Sequence, residues 1–249
     1  MENLDLSAGD ELYKNCSAVW EPYHEIIKNR KFGVFSLLES ILNENENYQI
    51  IILAAGIAPL SLDILEKFPN TKIFDTDIEN MNIKKELYEQ TAGEKITESI
   101  KFIQTDIINV TEFKKRLAEH GWDENKKSIV IAEGISYYLS EDELWNTFSI
   151  FQSKSKSNFI ILESRLPYDK VADDMKEIQE KVWVYLKETL NLNHVTRYYD
   201  EKINEYSAKI NGEVIEKFSM KDIEMMRYGK NELFKEHNSG WIEIRKITV

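Results

Sequence analysis

Four positions in the chain carry residues suited to holding a ligand, each where a short apolar run gives way to polar sequence. In Leu53-Ala54-Ala55-Gly56-Ile57-Ala58-Pro59-Leu60, Gly56 lets the backbone approach a ligand with no Cβ in the way. The helix that follows adds a dipole favourable to a carboxylate or phosphate. In Phe74-Asp75-Thr76-Asp77 an acid at a strand end can accept both ribose hydroxyl protons of an adenosine ligand, although an Asp-rich turn or cap is an equal reading. In Thr105-Asp106-Ile107 a carboxylate beside an apolar residue suits an adenine amino group and ring. In Ala132-Glu133-Gly134 a glutamate leaves a buried run and needs a hydrogen-bond donor, from a ligand or a helix-end amide. Each signal is weak alone. Their order, a glycine and then three acids at consecutive strand ends, is the layout of an adenosine-binding site. The lone glycine lacks the three-glycine dinucleotide fingerprint, which lowers a reading based on NAD or FAD.

Positioning these residues requires a series of buried strands alternating with helices. Tyr48–Ala54, Thr71–Asp75, Ile100–Gln104, Ser128–Ala132 and Asn158–Glu163 read as strands, and Leu60, Ile64, Leu65 and Phe68 repeat at helical spacing after the first of them. Phe113, Leu117 and Ala118 repeat likewise after the third. Such alternation predicts an α/β fold with a Rossmann-like, doubly wound, mostly parallel sheet whose ligand sits at the carboxyl ends of the strands. Residues 5–43 are helical in pattern, with Trp20, Tyr23, Ile26 and Ile27 on one stripe. Val171, Met175, Ile178, Val182, Leu186 and Leu190 predict one long amphipathic helix, placed as an inserted lid. Asn238-Ser239-Gly240 predicts a terminal antiparallel hairpin between 233–237 and 241–248, and Asn211-Gly212 a second between 206–210 and 214–218. The expected organisation is one domain: helical cap 1–45, cofactor-binding core 46–165, helical and hairpin insertion 166–230, terminal hairpin 231–249.

These motifs resemble the leucine carboxyl methyltransferase-like branch of the class I S-adenosylmethionine-dependent methyltransferases. The family's Leu-Gly-Ala-Gly-Leu-Asp-Thr-Arg is similar to Leu53–Leu60, its Glu-Val-Asp to Asp75-Thr76-Asp77, and its Glu-Gly-Leu-x-x-Tyr-Leu to Glu133–Leu139, over a match from Arg30 to Arg165. The resemblance implies S-adenosylmethionine as cofactor, gripped by Arg30 at the methionine carboxylate. It further implies Ala55 and Gly56 against the methionine part, Asp77 on the ribose, Asp106 and Ile107 on adenine, and Glu133 on the amino group. Two departures stand out. The first family glycine is Ala54, and Asp-Thr-Arg is replaced by Ala58-Pro59-Leu60, which removes the contacts those polar residues would make.

Methyl transfer from a sulfonium requires alignment of acceptor and methyl, and no metal. An ionised acid acceptor needs no base, and none of His24, His120, His194 and His237 stands out as one, or pairs at a metal-ligand spacing. The expectation is O-methylation of a small acidic, carboxylate-type or hydroxyl acceptor. Arg165 or Arg197 would hold an anion, with Tyr137, Tyr138, Tyr198 or Tyr199 lining the pocket, although packing competes for the tyrosines. Another alkyl transfer from the same cofactor, or a non-catalytic binding domain, stays open.

Composition narrows the partners. With 44 acidic against 32 basic residues the formal charge is −12, which disfavours nucleic acid and anionic membranes. Basic residues are interspersed with acidic ones, as in Glu66-Lys67 and Lys84-Lys85-Glu86, the pattern of a solvated surface. The longest apolar run, Ile50–Leu60, is about half the roughly 20 residues of a membrane span. One cysteine, Cys16, excludes an internal disulfide and has no nearby His to activate it. A cytoplasmic monomer or homodimer is expected.

Overall fold

The computed structural model describes residues 7–44, 47–189 and 195–249; Asp5, Leu190 and His194, which entered the sequence analysis, lie outside them. Seven strands form one sheet in the order β3-β2-β1-β4-β5-β7-β6. Strands β1 (Gln49–Leu53), β2 (Lys72–Asp77), β3 (Ile100–Gln104), β4 (Ser128–Ala132) and β5 (Phe159–Arg165) are parallel, close to the runs read from sequence. They are rich in Ile, and all but the edge strand β3 are largely buried on both faces, as a covered parallel sheet requires. Strand order reverses between β1 and β4, so a cleft opens at their carboxyl ends.

Alternate side chains separate two cores. Ile50, Ile52, Ile131, Ile161 and Ile244 face a core covered by α1 (Ser7–Val19), α2 (Tyr23–Glu44), α3 (Leu60–Lys67), α8 (Asp173–Thr189) and α10 (Met220–Tyr228). Ile51, Leu53, Val130, Ile160 and Leu162 face the other, with α6 (Val110–Glu119), α7 (Glu141–Ser149) and α9 (Asp200–Lys209). Between β2 and β3 lie α4 (Met81–Ala92) and the short α5 (Ile96–Ser99). Capping boxes at Ser140/Glu143 and Ser219/Asp222 fix the starts of α7 and α10.

The N-terminal helices form as expected, two of them, separated at Trp20-Glu21-Pro22 because Pro22 has no N–H to continue the first. A C-terminal antiparallel pair forms as well, but two turn readings need correction in the strands they join. Residues 233–237 are irregular, and β7 (Ile242–Thr248) pairs antiparallel with β5 and with β6 (Glu213–Ser219), whose connection to β7 runs through α10. Residues 206–209 complete α9, and Asn211, at φ 58°, makes the turn into β6. Glycine-containing turns marked chain reversals here, but the antiparallel partners were set by distant strands. No described helix is long and apolar enough to cross a membrane.

Candidate active site

The cleft at the β1/β4 switch is lined by Arg30 and Lys31 from α2, by the β1–α3 loop, by Lys84 from α4, and by Glu133 and Gly134 after β4. Gly56 has φ +49°, and a Cβ built on it would meet nothing within 4 Å, so the loop presents open backbone to the cleft. Ala54 also has a positive φ, 48°. The residue standing at the family's first glycine thus keeps a left-handed conformation, at a strain of about 1 kcal/mol for a residue with a Cβ.

Asp77 accepts from the Gly56 N–H through Oδ2 at 2.8 Å, joining the ends of β1 and β2. Asp106 caps its own turn through the Ile108 N–H at 3.1 Å, and its carboxylate lies toward solvent. Ile107 is buried at the base of the same loop. Ala55 is buried, its N–H bonded to the Thr76 carbonyl.

Charge concentrates at the β4 end. The Arg30 Nε donates to Glu133 Oε1 at 3.0 Å and lies 3.7 Å from Glu163 Oε2, while Lys31 Nζ donates to the same Glu133 oxygen at 2.9 Å. Glu163 is fully buried and accepts from the Gly134 N–H at 2.6 Å. Burial pushes its carboxyl up to about 7, against the pull of Arg30. Two cations facing two acids at one loop match an amino-acid zwitterion, whose carboxylate and ammonium can exchange partners with them. The methionine part of S-adenosylmethionine carries that pair of charges, so the residues present fit this cofactor.

Besides Lys31, sequence reading missed two members of this region. Lys84, expected on the solvated surface, is buried. Its Nζ pairs with Asp75 at 2.7 Å, approaches the Ala55 carbonyl at 3.4 Å and stands 5.3 Å from the Tyr88 ring centroid. Asp75 also accepts from Ser61 at 2.6 Å. Lys84 thereby supplies a cation beneath the glycine loop, where Ala58-Pro59-Leu60 offers none. The signal available in the sequence was Asp75 itself, a buried acid that had to be paired. Glu163, the second, ends the fifth apolar run as Glu133 ends the fourth.

Beyond the cleft, Arg165 lies two residues past Glu163 on the same face of β5. It is 1% exposed, and its Nε and Nη2 have no hydrogen-bond partner among the described residues. Its guanidinium carbon stands 4.0 Å from the ring centroid of Trp183 on α8, and Trp183 meets Tyr137 edge-on at 4.8 Å. Burial, and then Arg197, hold the Arg165 guanidinium well below its ordinary value. Tyr137 is buried against Tyr138, so these two residues stand between Arg30 and Trp183. The 195–199 segment is tied to this wall, with Thr196 N–H on the Tyr137 carbonyl and Tyr198 N–H on that of Arg165. Arg197 stands near enough to act on Arg165 and reaches Glu180 at 3.2 Å, whereas the last two candidates point elsewhere: Tyr198 is buried in the opposite core with its hydroxyl on the Ser136 carbonyl, and Tyr199 bonds Asp169.

Comparison with known proteins decides the family. Residues 8–152, more than half of the chain, match the model of the leucine carboxyl methyltransferase family. The chain belongs to that family. It is an S-adenosylmethionine-dependent methyltransferase. No curated protein sequence matches it. Among solved structures, the methyltransferase is similar to a putative methyltransferase from Thermobifida fusca at 14% identity and a TM-score of 0.68, covering 98% of this chain and 87% of that one. It is similar to a DUF574 family protein from Streptomyces avermitilis at 10% identity and a TM-score of 0.66, covering 98% and 90%. It also resembles magnesium protoporphyrin IX methyltransferase from Synechocystis with bound S-adenosylmethionine, at 8% identity and a TM-score of 0.54, covering 96% and 90%. At these identities the likeness is one of fold.

Proposed function

We propose that the methyltransferase acts on a small acidic acceptor, methylating a carboxylate oxygen, with Arg165 as the residue that holds the acid. The observation that carries this reading is the unpartnered Nε and Nη2 of a buried arginine. These two atoms form one edge of the guanidinium, the edge that binds a carboxylate through two parallel hydrogen bonds. A buried guanidinium left unpaired is costly, and an anion reverses that cost.

The cofactor supplies a methyl group already activated on a sulfonium. Arg30, Lys31 and Glu133 hold its amino-acid end, and Asp77 faces the ribose. Arg165, on the same strand face as the Arg30-bound Glu163, sets the acceptor oxygen in line with the methyl carbon. An ionised carboxylate is a competent nucleophile without a base, so the gain comes from orientation and exclusion of water. A second reading is favoured by one observation. Glu163 Oε1 is buried with no partner among the described residues, and a carboxyl near 7 suits a general base, which a hydroxyl acceptor would require.

The test is transfer of labelled methyl to a panel of small acids, with the product then treated with mild alkali. A methyl ester releases the label and supports the carboxylate reading; an alkali-stable ether supports the second. Arg165→Met should lower kcat/KM at least 100-fold while calorimetric affinity for S-adenosylmethionine holds. Unchanged turnover in that variant would sink Arg165 as the anchor.

A further inference from the structure

One turn before Trp183, on the same buried side of α8, stands a residue that packing alone does not explain. Gln179 is 0% exposed, and among the described residues neither its Nε2 nor its Oε1 has a hydrogen-bond partner. The other buried positions on this helix are Met175, Val182, Trp183 and Leu186, side chains that fill space at little polar cost. A glutamine there gives up its hydrogen bonds to water and recovers none from the described residues, a burden that Leu or Met would avoid. The Trp183 indole N–H is also buried and unpartnered. Gln179 and Trp183, four residues apart, are neighbours on the helix surface. The Trp183 ring covers Arg165. Gln179 therefore stands one helical turn from the ring that covers the buried guanidinium assigned above to the acceptor.

We propose that Gln179 is a specificity-determining residue of the acceptor site, and that it reads a neutral group on the acceptor, an amide or a hydroxyl, lying within about one helical turn of the carboxylate. The proposal rests on the reading of Arg165 as the acceptor anchor. The glutamine amide offers one donor and one acceptor side, and both are satisfied only by a group that also donates and accepts. Amides and hydroxyls do so, whereas ethers, ketones and hydrocarbon do not. The substrate class is thus a hydroxy acid or an N-acyl amino acid, in preference to a simple fatty or aryl acid. No proton or bond changes hands at Gln179; it selects and orients.

The experiment uses the full chain loaded with S-adenosylhomocysteine and two matched pairs of acids, mandelate against phenylacetate and hippurate against 4-phenylbutyrate. Affinities are measured by calorimetry for wild type, Gln179→Leu and Arg165→Met, alongside the melting temperature of each ligand-free protein. In wild type, at least one member bearing the hydroxyl or amide should bind tenfold or more tightly than its partner. Gln179→Leu should bring that ratio close to one while phenylacetate and 4-phenylbutyrate keep their affinity, and its melting temperature should rise. Arg165→Met should weaken all four acids. A preference unchanged in Gln179→Leu, or a melting temperature that falls in it, overturns the role of Gln179 while leaving the anchor standing. Binding unaffected by Arg165→Met, or no binding of any of the four acids, overturns the anchor and this proposal with it.

Discussion

At the scale of single residues, the site is organised around charges that hold one another. Arg30, Lys31, Glu133 and Glu163 form a closed set whose members can be exchanged for those of an amino-acid zwitterion. Glu163 gives this set a pH signature. Its carboxyl, ordinarily at 4.5, is raised to about 7, so between these values the folded protein keeps a proton that the unfolded chain releases. The contribution is complete below 4.5 and is lost as pH rises through about 7. Ligand-free wild type should therefore lose roughly 3 kcal/mol across this window relative to Glu163→Gln, read from denaturant unfolding at steps of pH. Parallel curves for the two proteins would mean that Glu163 is ionised throughout. Of these charges, Arg30 and Glu133 were legible as motif positions. Lys31 and Glu163 were not, because what selects them is the approach of α2 to the ends of β4 and β5, a contact between residues about a hundred apart in sequence.

Among the elements, the strands were the most legible, since buried parallel strands announce themselves as short runs of Ile and Val. The open backbone at Gly56 in the loop after β1 was legible, but its support was not. Lys84 sits in a charged stretch that reads as surface, and it is buried because Asp75, at the third position of β2 from its end, needs a cation and Tyr88 covers the pair. Removing one partner of a buried pair strands the other. Lys84→Met should lose about 3 to 5 kcal/mol in chemical denaturation, and Lys84→Met with Asp75→Asn should recover more than half of it. If the double variant were no more stable than the single, the lysine stem rather than its charge would be what the site requires. The two turns were assigned the wrong first strands for a related reason. Their turn residues are present, but β7 finds better partners in β5 and β6 than in the residues just before it, and turn chemistry carries no information about a strand that arrives from elsewhere.

For the whole molecule, the charge of −12 surrounds a site proposed to admit an anion. Such a field slows the approach of an acidic acceptor and is screened by salt. Raising ionic strength from about 10 mM to about 0.15 M should therefore increase kcat/KM for an acidic acceptor several-fold with little change in kcat. A fall in kcat/KM would place the acceptor among cations. The doubly wound order, foreseen from the alternation of strands and helices, sets the cleft at the β1/β4 switch; the wall opposite it belongs to α8 and the chain after it, where motifs gave little guidance. These two walls are held in different ways. Strand β5 is locked on both edges, to β4 and to β7, with Glu163 opposite Ile244 and Arg165 opposite Ile242. A slip of one residue would turn both charges to the far side of the sheet and bring Ser164 in their place. Helix α8 has no such ladder and meets the site through side chains alone, so its residues can be replaced one at a time without disturbing the register beneath. Change in what this enzyme accepts is therefore expected to accumulate on the helix, while the strand, which cannot shift without losing both charges, stays as it is.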